Sequence, residues 1–223
     1  MPGTPQLITV DRPRDPDGVV LFLHGGGSRR DSAAVSPTQL SVLRMIPVAQ
    51  RVRRAGRGRL AVYRLLNSVR GWDASRTPVQ DVEWALDQVR AELPAAPVAL
   101  VGHSLGGRAA LLAGDRPAVR TVVALNPYVF PDDAPDLRGR HVLFVHGDED
   151  RIASPAKAEA VARRLMRTTD VGFVTVTGGK HAMLKHGATF EKAAADFVAA
   201  TLLGDDSGGP AARVLAGEQW VTS

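Results

Sequence analysis

Short runs of β-branched and apolar residues alternate with longer stretches of helical periodicity along almost the whole chain. The short runs, 19–23, 60–65, 98–101, 121–125, 141–145 and 172–176, read as buried strands, and an earlier run, 7–10, as an edge strand. Between them, 38–54, 79–92, 105–114, 155–167 and 189–203 read as helices. In 79–92, Val82, Leu86 and Val89 share one face while Asp81, Glu83, Asp87 and Arg90 point elsewhere. Strand and helix in alternation predict an α/β three-layer sandwich, a mostly parallel central sheet with helices on both faces.

Two stretches depart from the alternation. Residues 128–140, with Pro127 just before them and Pro131 and Pro135 within, are too short and too broken for a crossover helix, so a loop and no cap domain are expected. After Leu203 the sequence GDDSGGP has linker composition. The expected division is therefore one core domain, 1–204, and a linker-like C-terminal tail, 205–223.

Composition narrows the classes. A chain of 223 residues, 44% hydrophobic and 23% charged, suits one soluble globular domain. No apolar run approaches the roughly 20 residues that cross a bilayer, and residues 1–18 lack the basic and apolar regions of a signal peptide, so a cytoplasmic protein is expected. With no cysteine there is no disulfide, thiol nucleophile or thiolate metal site. The net charge of +5 is densest at 51–59, RVRRAGRGR, which reads as the basic C-terminal end of a helix stopped by Gly56 and Gly58. With aromatics at 5% there is no base-stacking platform, so neither a nucleic-acid nor a membrane partner is expected.

Four segments carry chemistry. The strand 98–101 runs into Gly102-His103-Ser104-Leu105-Gly106 and then at once into a helix, the G-x-S-x-G context that lifts a serine hydroxyl above a sheet edge and points a helix N-terminus at it. A bare N-cap serine after a glycine turn is the alternative. The strand 19–23 leads into His24-Gly25-Gly26-Gly27, where the Gly26 or Gly27 N–H can supply an oxyanion donor beside that of Leu105. The strand 141–145 leads into Gly147-Asp148-Glu149-Asp150, and 172–176 into Gly178-Gly179 and His181. Open α/β sheets place their sites at this strand edge.

On these four motifs, in this order, the chain resembles the α/β-hydrolase superfamily, of the serine esterase, lipase or dienelactone-hydrolase-like kind, over residues 6–203. The resemblance implies an α/β-hydrolase fold with nucleophile Ser104, acid Asp150 and base His181, and an oxyanion hole from Gly26 and Leu105. Asp148 and Glu149 compete for the acid, but the family pattern H-G-x-x-D falls on His146 to Asp150. His186 competes with His181, which has the family's G-x-H spacing. His24, His103 and His146 are expected to have structural hydrogen-bonding roles.

No metal or other cofactor is implied. Trp72, Tyr128, Phe130 and Met183, on loops or beside a site residue, are expected to line a substrate pocket. Arg29 and Arg30 follow the glycine loop, where arginines are commonly solvated. The implied activity is hydrolysis of small carboxylic esters through an acyl-enzyme at a lidless site. A thioesterase or acyltransferase on the same triad and a non-catalytic binding protein of the same fold are the alternatives.

Overall fold

Among the residues that the computed structural model describes, 3–27, 34–72, 75–206 and 208–223, eight strands form one sheet in the order β1-β3-β2-β4-β5-β6-β7-β8. These are β1 (Gln6–Asp11), β2 (Gly18–Leu23), β3 (Leu60–Leu66), β4 (Val98–His103), β5 (Val119–Leu125), β6 (His141–Gly147), β7 (Asp170–Val176) and β8 (Trp220–Thr222). Only β1 runs antiparallel, against β3; the other neighbours are parallel. Parallel pairing needs a crossover between strands, and the helical segments supply it.

The period-two alternation of the strands divides their side chains between two cores. Val19, Leu21, Leu100, Val122 and Phe144 face α3 (Thr77–Glu92), α4 (Leu105–Leu112) and α5 (Pro155–Leu165). Val20, Phe22, Val101, Val123 and Val145 face α2 (Met45–Gly56), α6 (Gly187–Leu203) and α7 (Gly209–Leu215). The chain winds outward from β2 to β3 and returns past β2 to β4. The order therefore reverses beside β4, and a crevice opens at the C-terminal strand ends there.

Two expectations are corrected. The helix expected over 38–54 is split into α1 (Leu40–Leu43) and α2, with Arg44 between them, because Pro47 has no N–H to donate four residues back to Leu43. The segment 205–223, expected as a tail, instead holds α7 and β8. Val214 of α7 fills the hollow over Gly172, where a Cβ would lie 2.0 Å from its Cγ1. Trp220 of β8 stacks 5.0 Å from the Phe173 ring with the Arg163 guanidinium 4.2 Å above it. Gly204, at φ 69°, ends α6 ahead of this segment, and Gly209 and Pro210 of the linker-like stretch already open α7.

The connection after β5 carries no cap. Arg108 of α4 binds Asp133 through two hydrogen bonds of 2.7 and 3.0 Å, and Asp133 also accepts the Phe130 N–H at 2.8 Å. The basic run ends α2 as expected, with Arg53 hydrogen-bonded to Gln50 and Arg59 paired with Asp205. Among the described residues no helix is long and apolar enough to cross a membrane.

Candidate active site

Ser104 joins β4 to α4 with φ 57° and ψ −120°, a sparsely populated conformation held in place by the packing around it. The packing depends on Gly106, where a Cβ would sit 2.3 Å from the Leu23 carbonyl oxygen. Only a residue without one lets α4 start against the end of β2. The turn brings the Ser104 hydroxyl within 3.0 Å of His181 Nε2, and His181 Nδ1 lies 2.7 Å from Asp150 Oδ2. A neutral imidazole that donates from Nδ1 to the carboxylate leaves Nε2 to accept from the serine.

Asp150 is buried. Its Oδ1 accepts the Ile152 and Ala153 N–H groups at 2.8 and 2.9 Å, and His146 Nε2 approaches its Oδ2 at 3.5 Å while donating to the Ala153 carbonyl. Burial by itself would raise the carboxyl pKa. Hydrogen bonds from His146, His181 and Ile152 outweigh it and hold Asp150 below the usual carboxylate range.

The competing residues lie elsewhere. Asp148 is exposed and accepts the Gly178 N–H at 2.7 Å, and Glu149 pairs with Lys180 on the surface. His186 precedes α6 with its ring against Gly178.

Asn126, which sequence reasoning missed, and His103, in the structural hydrogen-bonding role expected of it, hold His181 from behind. Asn126, fully buried at φ 41°, accepts the Gly147 N–H through Oδ1 at 2.9 Å and donates Nδ2 to the Lys180 and His181 carbonyls at 3.1 and 3.3 Å. It ties the acid loop to the base loop. His103 Nε2 donates to the His181 carbonyl at 2.8 Å. Burial, reinforced by the neighbouring His181, pushes the His103 pKa down to about 3, so this ring stays neutral. The available signal for Asn126 was an Asn-Pro pair directly after a strand.

On the opposite side, the Leu105 N–H begins α4, where a helix has no internal acceptor. The Gly27 N–H donates to the Arg70 carbonyl at 3.0 Å, whereas the Gly26 N–H has no acceptor among the described residues, so of the two candidates Gly26 is the free donor. His24 steadies this loop: Nδ1 donates to the Gly25 carbonyl at 2.6 Å and Nε2 accepts the Asn67 N–H at 3.1 Å. Burial lowers the His24 pKa, in keeping with a neutral ring.

Above Ser104 lies an open cavity of about 450 Å³, with Leu40, Leu105, Tyr128 and Ile152 giving it an apolar wall and Ser41 and Arg44 adding polar groups. Of the four residues expected to line a pocket, Tyr128 does. The other three are engaged elsewhere. Trp72 and Phe130 flank the Arg108 guanidinium, at 4.2 and 4.7 Å, and Met183 is buried in the α6-side core. Arg29 and Arg30 lie outside the described residues. Among the described residues no cluster of three metal-ligating side chains occurs.

The sequence model of the alpha/beta hydrolase family matches residues 20–216. No curated protein matches the sequence. Several solved structures share the fold at low identity. Est1E from Butyrivibrio proteoclasticus, solved with ferulic acid bound, is 16% identical with a TM-score of 0.66, covering 89% of this chain and 96% of that one. An α/β serine hydrolase without a lid from Xanthomonas campestris is 17% identical with a TM-score of 0.63, covering 85% of each chain. An acetyl ester-xyloside bifunctional hydrolase from Caldicellulosiruptor lactoaceticus is 14% identical with a TM-score of 0.69, covering 89% of this chain and 88% of that one.

Proposed function

As the chain belongs to the alpha/beta hydrolase family, we propose that it is a lidless serine carboxylesterase acting on small esters, with Ser104 as nucleophile, His181 as base and Asp150 as acid. The observation that carries this reading is the unbroken relay from the Ser104 hydroxyl through His181 to Asp150, at 3.0 and 2.7 Å.

Ser104 attacks the ester carbonyl as its proton passes to His181 Nε2, giving a tetrahedral intermediate whose oxyanion accepts from the Gly26 and Leu105 N–H groups. His181 then protonates the departing alkoxide, leaving an acyl-Ser104 ester. Water, deprotonated by the same nitrogen, attacks that ester, and the second tetrahedral intermediate collapses to release the acid and restore the Ser104 proton. Asp150 keeps the imidazole in the tautomer that leaves Nε2 free and stabilises its charged form. No step calls for a metal or cofactor.

The cavity is open, so acetyl to hexanoyl groups are favoured; methylenes beyond that length stay solvated and add little. A fluorophosphonate probe tests the assignment. Labelling of the wild type at Ser104, absent in Ser104→Ala, supports it, together with at least about a thousandfold loss of ester turnover in that variant. A wild-type chain that takes no label is a binding protein on this fold, and an active Ser104→Ala protein refutes the nucleophile.

A further inference from the structure

Arg44 separates α1 from α2 and lines the cavity above Ser104. Its Nη1 is buried and has no hydrogen-bond partner, and no carboxylate pairs with its guanidinium among the described residues. None of the described residues lining this cavity is acidic, and Arg44 is the one lysine or arginine among them. The acid of the relay, Asp150, is screened behind His181, with its side chain withdrawn from solvent.

An unpaired cation is costly to bury, and an ion pair completed by an arriving ligand relieves that cost. The apolar wall beside it, with Leu40 at 76% and Ile152 at 65% exposure, offers contact to a hydrocarbon portion. From this juxtaposition we infer that the cavity selects esters that also carry a carboxylate, which Arg44 binds while the scissile carbonyl lies at Ser104.

A single guanidinium matches a carboxylate in charge and in fork geometry. The described residues would leave half the charge of a phosphate dianion unmatched. Arg44 keeps helical dihedrals, φ −56° and ψ −32°, and donates its N–H to the Leu40 carbonyl at 3.0 Å, so its side chain reaches the cavity from the junction of α1 and α2. The inference deepens the esterase reading and rests on it.

The test compares ester pairs matched in size. p-Nitrophenyl hemiglutarate against p-nitrophenyl pentanoate places the carboxylate on the acyl side, and 4-acetoxybenzoate against phenyl acetate places it on the alcohol side. Wild-type kcat/KM should favour the anionic member of one pair by about tenfold or more, the scale of a charge-assisted hydrogen bond. Arg44→Met should abolish that preference and Arg44→Lys should retain part of it. No wild-type preference in either pair overturns the inference without any variant, and so does an equal loss on both members in Arg44→Met, which would make Arg44 a general aid to the oxyanion.

If no ester is turned over, the esterase reading falls. Glutarate then decides the Arg44 site separately: raising the thermal midpoint of the wild type but not of Arg44→Met sustains it, and equal behaviour of the two proteins overturns it.

Discussion

On the His181 side of Ser104, Asp150 accepts from two backbone N–H groups and His181, and Asn126 joins three backbone groups from two loops. On the Gly26 side, the Gly26 and Leu105 N–H groups and Arg44 Nη1 have no acceptor among the described residues. His103 Nδ1 and His146 Nδ1 on the first side also lack a partner among the described residues. The Asp150 and Asn126 side chains, however, are bonded at every polar atom, and that bonding transmits position, which a base needs to stay in one tautomer and one place. Unsatisfied donors hold no position for their neighbours. They are groups prepared to be completed by charge that a substrate brings or develops, and their own placement depends on loops anchored elsewhere, by His24 and by the Ser68–Asp81 hydrogen bonds.

The widest separation between the sides comes from the acid. Asp150→Asn removes the acceptor that keeps the His181 tautomer, so kcat should fall about ten-thousandfold with little change in KM, measured by steady-state ester hydrolysis. Asp148→Asn, two residues away and exposed, should stay within a few-fold of wild type.

On the other side, a Cβ at residue 26 would lie 2.2 Å from the Arg70 carbonyl oxygen, so Gly26→Ala must displace the donor. The expected loss in kcat is about a hundredfold to a thousandfold, the worth of one oxyanion-hole donor. Near wild-type turnover would assign the oxyanion to another group.

Asn126→Ala should cost less in rate, about tenfold in kcat with KM unchanged, and more in stability. It leaves the buried Gly147 N–H unsatisfied and takes a donor from the Lys180 carbonyl, while the His181 carbonyl keeps His103. About 1–3 kcal/mol for the buried group should be lost, read from urea midpoints. Its effects should be structural where those of Gly26→Ala are chemical.

The effect of acid falls on stability and leaves the chemistry of a folded site aside. His103 has a folded pKa of about 3 against 6.5 for a free histidine, so between these the unfolded chain binds the extra proton. Stability is complete above pH 6.5 and falls on acidification toward pH 3, with a slope approaching about 1.4 kcal/mol per pH unit. His24, lowered in the same direction, adds to this window. Asp150 is depressed from 3.8, so its stabilisation is present above that pH and is lost only as pH falls through its still lower folded value. Urea midpoints across pH 4–7 should show the slope, and His103→Gln should flatten it.

Much of this arrangement was legible before the fold. Strands buried on both faces and amphipathic helices carry their periods in consecutive residues, and Ser104, Asp150 and His181 each sit in a local motif with its own strand. What escaped depends on which loops meet. Asn126 acts only because the ends of β6 and β7 converge on it, and Arg44 only because the junction of α1 and α2 packs over the end of β4. Trp72 and Phe130 are aromatic residues beside a site in sequence, yet their faces are taken by Arg108, itself held by Asp133. Three-residue β8 is too short to display a period, and only its contact with β7 makes it a strand.

That strand has a consequence for the company the protein keeps. A sheet's outer rows of unpaired N–H and C=O groups are templates on which a second chain can build. Here β1 turns antiparallel at one margin, and at the other β8 pairs with Phe173, Val174 and Thr175, its residues Trp220 to Thr222 forming a short new margin under the Arg163–Trp220 stack. The Phe173–Thr175 stretch of β7 is thereby covered, and the margin that replaces it is three residues long where β7 has seven.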